Sequence, residues 1–131
     1  MQNRVVAHLN DGRLIKGMSL DVAPSRPKCH VRTESDGVVP VTLADLKALF
    51  FVHDLNGNPD YVESDQPVDG DVRLHGTRQI ELKFADGERM VGLTNRVPPP
   101  RPFFFVMPID NRSNNIRLLV NSGALATMNA L

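Results

Sequence analysis

Slid along itself by 75 positions, this sequence realigns without a gap from Asp11 to Val31. Asp11-Gly12 falls on Asp86-Gly87, Gly17 on Gly92, Val22 on Val97 and Val31 on Val106. Between these landmarks, Pro24-Ser25-Arg26-Pro27 falls on Pro99-Pro100-Arg101-Pro102. Glycine and proline fix backbone geometry, so such landmarks kept at one spacing point to one conformation used twice. A chain of 131 residues has room for one ordinary domain or two very small ones. The offset favours an internal duplication.

The local pattern repeats with the landmarks. Val5, Ala7 and Leu9 alternate with Val6 and His8, as Ile80, Leu82 and Phe84 alternate with Glu81 and Lys83. That period of two is the mark of a half-buried strand. Each strand runs into Asp-Gly, read as a type I′ hairpin turn. The return strands cover Ile15 to Gly17 and Met90 to Gly92, where a strand glycine marks a bulge or a bend at a barrel corner. A Pro-x-Arg-Pro loop follows, then a third strand (28–32; 103–107), a polar turn and a fourth strand (38–42; 116–120). One helical turn (44–48; 122–126) precedes a last short strand. The expected fold is all-β: two tandem five-stranded SH3-like or Sm-like barrels, each with one short helical turn.

The opening Leu9 to Gly17, apolar-x-Asp-Gly-Arg-x-x-x-Gly, resembles the first hairpin of Sm-like barrels. The wider series is Asp11-Gly12-Arg13, Lys16-Gly17, Arg26-Pro27, Asp45-Leu46-Lys47-Ala48, Phe50-Phe51-Val52 and Gly57-Asn58-Pro59. It resembles an uncharacterised bacterial family of tandem small β-barrel domains, and the likeness extends to Asp86-Gly87 and Asn114-Asn115. The resemblance implies a soluble bacterial module, sometimes appended to signalling proteins, and supplies no active site to carry over.

Charge divides the chain. Residues 54–77 hold six acids (Asp54, Asp60, Glu63, Asp65, Asp69, Asp71) against Arg73 alone, while 1–53 and 78–131 are mildly basic. The division expected is a first barrel over 1–53, an acidic linker over 54–77 and a second barrel over 78–131. Pro59, Pro67 and the linker glycines permit either a free linker or one lying across both barrels. The apolar runs at Leu49 to Val52 and Phe103 to Met107 fall far short of the roughly 20 residues that span a bilayer. Met1-Gln2-Asn3-Arg4 opens no apolar leader core, and Cys29, the only cysteine, permits no internal disulfide. A cytoplasmic protein with no membrane partner is expected.

Motifs for chemistry return little. Met18 stands where a phosphate-binding loop needs lysine, and His8, His30, His53 and His75 are scattered without zinc spacing. Cys29 and His30 are strand neighbours whose side chains point to opposite faces, so no dyad forms. Asp11 and Asp86 read as turn formers. Asp110-x-x-Ser113 matches half of a PilZ-type cyclic-dinucleotide motif without the upstream arginines. No catalytic residue, cofactor or metal site is assigned.

The third strand is the most informative place. Cys29 and Val31, with Phe104 and Val106, face a core; Lys28, His30 and Arg32 point outward, and their counterparts are Phe103, Phe105 and Met107. An exposed stripe of two Phe and a Met calls for a cover: the other barrel, the linker, a second subunit or a partner. Arg26 and Arg101 place the same bidentate cation on each barrel. The expected function is a non-catalytic binding or adaptor module for a protein partner or for self-association. Arg26, Arg101, Phe103, Phe105 and Met107 are the candidate partner-binding residues. Nucleic-acid binding through an Sm-like surface, favoured by Lys28, His30 and Arg32, is the main alternative, disfavoured by zero net charge and the absence of Trp. A cyclic-dinucleotide receptor is the other.

Overall fold

The computed structural model describes residues 3–131; Met1-Gln2, the head of the N-terminal reading, lie outside the described residues. Ten strands form in chain order. The first five are β1 (Asn3–Leu9), β2 (Leu14–Ser19), β3 (Lys28–Arg32), β4 (Val38–Thr42) and β5 (Leu46–Val52). The second five are β6 (Arg78–Phe84), β7 (Arg89–Thr94), β8 (Phe103–Pro108), β9 (Asn115–Asn121) and β10 (Leu125–Ala130).

All ten belong to one antiparallel sheet in the order β10-β6-β7-β8-β9-β5-β1-β2-β3-β4. This corrects the expectation of two closed barrels, because the sheet runs on from one half into the other and ends at two edges. The junction is β5 against β9, with Leu49 opposite Leu119, Phe50 opposite Leu118 and Phe51 opposite Arg117. An unpaired strand leaves a row of main-chain groups unsatisfied, and β5 and β9 remove two such edges by pairing with each other. Within each half the strand order is the same, and so is the register: Val5 lies opposite Gly17 as Ile80 lies opposite Gly92. Cys29 lies opposite Val41 as Phe104 lies opposite Val120.

The two faces of this sheet serve different cores. Val5, Ala7, Cys29, Val31, Leu43, Leu46, Leu49 and Phe51 form the first, and Leu119 of β9 is buried among them. Ile80, Leu82, Phe84, Phe104, Val106, Leu118 and Val120 form the second, joined by Ala48 of β5. Strand β5 therefore has a core on each side, which is why its sequence is nearly all apolar and does not alternate.

Three local expectations need correction. At the hairpins only Gly12 and Gly87 have positive φ, so Asp11 and Asp86 are not in I′ turns. Gly12 N donates to Leu9 O and Leu9 N to Arg13 O, with the same pattern at Phe84, Gly87 and Glu88. That is a type I turn closed by a glycine bulge, and each aspartate accepts from the amide two residues on. The helical turns are 3-10 turns at Leu43–Asp45 and Ser122–Ala124, so Ala48 lies in β5. Gly17 and Gly92 mark close strand approach: a Cβ on Gly17 would overlap the Arg32 carbonyl, and one on Gly92 would lie 2.8 Å from Met107 O.

Candidate functional site

The face assignment of the third strand holds in both halves. Cys29 and Val31 are buried while Lys28, His30 and Arg32 are exposed. Phe104 and Val106 are buried while Phe103, Phe105 and Met107 are half-buried. The Phe stripe has its cover within the molecule: Phe103 and Phe105 pack against the first core, and Met107 packs on a small cluster of Val91, Leu93 and Ile109. The Phe105 and Phe51 rings are 6.1 Å apart, and the Arg117 guanidinium lies 4.4 Å from the centre of each. The one cation thus lies over both rings, a cation–π contact shared across β5, β9 and β8. Lys47 ties the halves a second way, its Nζ lying 2.7 Å from Asp86 Oδ2 and 2.6 Å from Glu88 Oε1.

The same face of the first half is open. Lys28, His30 and Arg32 of β3 share it with Thr42, Pro40 and Val38, their register partners on the edge strand β4. Val38 is 61% exposed, and Leu20 close by is 63% exposed. Val38, Leu20, Met18, His30, Arg32 and Asp21 line a shallow recess of about 240 Å³. Asp21 fixes the histidine from below: its carboxylate accepts from His30 N at 2.8 Å and meets His30 Nδ1 at 2.6 Å. That hydrogen bond is the main reason the Asp21 carboxyl sits below its ordinary value. Asp21 is a residue the sequence reading missed; its contact spans nine positions and obeys no strand or helix period.

Arg26 and Arg101 are both exposed, in the loops that lead into β3 and β8.

Residues 54–77 are held against the second half at several points. Buried Asp110 accepts from Tyr61 Oη at 2.6 Å, Ser64 N at 2.8 Å and Arg112 N at 2.8 Å. Burial raises the Asp110 carboxyl, but these donors outweigh it and hold the group below its ordinary value. Ser113 Oγ donates to Glu63. Arg73 grips the chain with its guanidinium, bonding Asp71 Oδ2 at 2.8 Å, Pro108 O at 2.9 Å and Ile109 O at 3.0 Å. Asp110 Oδ2 and Ser113 Oγ thus bond this segment directly.

A family model described as "Family of unknown function (DUF6982)" matches residues 1–131. The chain belongs to DUF6982. No curated protein and no solved structure matches this DUF6982 chain.

In this DUF6982 chain Cys29 lies fully buried, and burial pushes its thiol up to about 11, so it stays protonated at neutral pH. Among the described residues no group of His, Cys, Asp or Glu could hold a metal ion, and no helix is long and apolar enough to cross a membrane. The surface with the most distinctive chemistry is the open β3–β4 face. Its basic strand is flanked by exposed apolar side chains and an unpaired edge.

Proposed function

We propose that this chain is a non-catalytic binding module that recognises another chain at the open edges of its sheet. One observation carries the reading: the two halves hold each other by edge pairing of β5 with β9, and among the described residues no strand lies on the outer side of the corresponding strands β4 and β10. Such edges accept extended segments by strand addition. The repeated strand order and register support an origin by internal duplication of an SH3-like or Sm-like unit. The resemblance to bacterial tandem-barrel modules supports a role in signalling or assembly.

The test is a pull-down from native lysate, with and without nuclease, followed by amide hydrogen exchange on the recovered complex. A protein partner that survives nuclease and slows exchange in β4 or β10 supports the reading. A partner that leaves both edges unprotected overturns it. Variants at Phe103 and Phe105 would not probe the edges, since both side chains pack on the first core. A second reading, nucleic-acid binding, has the exposed strip of Lys28, His30 and Arg32 in its favour. Capture that vanishes with nuclease and falls steeply with salt would establish it instead.

A further inference from the structure

We propose that the β4 edge, with the basic face of β3 beside it, takes an extended acidic segment of a partner protein as an added antiparallel strand. The inference rests on the binding-module reading and names its edge and the chemistry of its partner. The molecule holds its own template. β9 is the counterpart of β4, and it receives β5 with Leu49 opposite Leu119 and Phe51 opposite Arg117. In that contact the incoming strand meets side chains two strands away, since Phe51 of β5 reaches Phe105 of β8. The counterparts of Phe103 and Phe105 are Lys28 and His30, one strand in from the open edge. An incoming strand on β4 would therefore lie within reach of Lys28, His30 and Arg32, where the chemistry has changed from apolar to basic.

The edge is readable group by group. Thr33 N donates to Gly37 O and Leu43 N to Pro27 O, so Gly37 and Leu43 turn their main-chain groups toward β3. By the alternation of an antiparallel ladder, Val38, Pro40 and Thr42 turn theirs outward. Pro40 stands where Leu119 stands in β9 and has no N–H, so this edge offers three carbonyls and two amides. One missing donor weakens a ladder without abolishing it, and side-chain charge must then supply selectivity. Among the described residues the ion pairs engage none of Arg26, Lys28 and Arg32. Residues of the added strand opposite Val38 and Pro40 share the face of these cations, so acids there, alternating with apolar residues toward the rim of the first core, complete the match.

A second copy of this chain fits less well. Head-to-tail pairing would set β10 on β4, yet Thr127 and Asn129, counterparts of the core-facing Ala48 and Phe50, are polar and exposed. The basic face of β3 offers nothing apolar to replace Phe103 and Phe105. Both ends of the sheet are thus unsuited to repeat the internal junction.

The experiment titrates the full chain with a short fluorescein-labelled peptide of alternating Glu and Val, a Lys–Val peptide of equal length and an oligo-dT. Each is repeated on a K28S/R32S double variant with an unchanged unfolding midpoint. Expected are binding of the Glu–Val peptide, roughly fivefold to tenfold weaker on the variant, falling with salt, and slowed exchange at the Val38 and Thr42 amides. Equal binding of the Lys–Val peptide, or an unchanged affinity on the variant, overturns the proposal. Protection at Ala126, Met128 and Ala130 instead moves the edge to β10, overturning this inference while the binding-module reading stands. Binding of oligo-dT alone, lost on the variant, overturns both in favour of nucleic acid. Binding of none of the three probes overturns the inference, and the lysate experiment then judges the broader reading separately.

Discussion

Gly17 and Asp110 show how single positions serve this sheet in different ways. A Cβ on Gly17 would collide with the Arg32 carbonyl, which belongs to a strand and cannot swing aside. Gly17→Ala should therefore cost about 3 kcal/mol, as overpacking against fixed atoms does. Gly12 has open space but a φ of 92°, so Gly12→Ala should cost only about 1 kcal/mol. Urea unfolding of both variants checks the ranking, and equal costs would mean that β2 can move off β3. Asp110 answers to three donors, and Asp110→Ala leaves the Tyr61 hydroxyl and the Ser64 amide without their acceptor. A loss of about 2 kcal/mol at pH 7 is expected. Because the folded carboxyl lies below its ordinary value, the stability it contributes is full above the ordinary carboxylate range and is lost as pH falls through the folded value. The gap between wild type and variant should then narrow below about pH 4; a gap independent of pH would assign the loss to packing alone.

At the scale of the element, Leu119 is the informative side chain, because it sits on a strand of the second half and is buried in the core of the first. Leu119→Ala should cost about 3 kcal/mol and open the first core beside Leu49 and Phe51. Hydrogen exchange would show the loss as faster amides in β1 and β5; acceleration confined to β6 and β7 would contradict it. Much of the element structure was legible in advance. The boundaries of β3 and β4 match the expected 28–32 and 38–42, since alternation and turn residues are local signals. The helical turns were misjudged because one turn of helix and the first residues of a buried strand look alike in composition. The β5–β9 pairing was not legible, because it joins segments about seventy residues apart through main-chain atoms that carry no sequence signature. One sign was present: Leu46 to Val52 is apolar on both faces, as only a strand between two cores needs to be. The Phe stripe was the other, since two Phe and a Met on an outward face call for a cover, and the opposite half supplies it to Phe103 and Phe105. The open basic face was legible as residues, whereas Asp21 beneath His30 was not.

At the scale of the whole molecule, the question is whether two repeats fold as two domains or as one. Leu119 enters the first core and Ala48 the second, so neither half can be lifted out without opening both. Lys47 reaches from β5 to Asp86 and Glu88, and Asn121 of β9 donates from its amide to Leu46 O at 2.9 Å. Residues 54–77 are bound to the second half through Arg73, Asp110 and Ser113. A five-stranded unit of some fifty residues is near the lower limit of what folds unaided, and here each would also expose the apolar face of its missing neighbour. The full chain should therefore unfold in one cooperative transition seen identically by Tyr61 fluorescence and by far-ultraviolet circular dichroism. Residues 1–53 expressed alone should lack that transition, and should regain ordered β structure only when 54–131 is added in trans. Two resolved transitions in the intact chain, or a folded 1–53 fragment with its own sharp midpoint, would show that the halves are autonomous. The junction would then be a docking contact and no longer part of the fold.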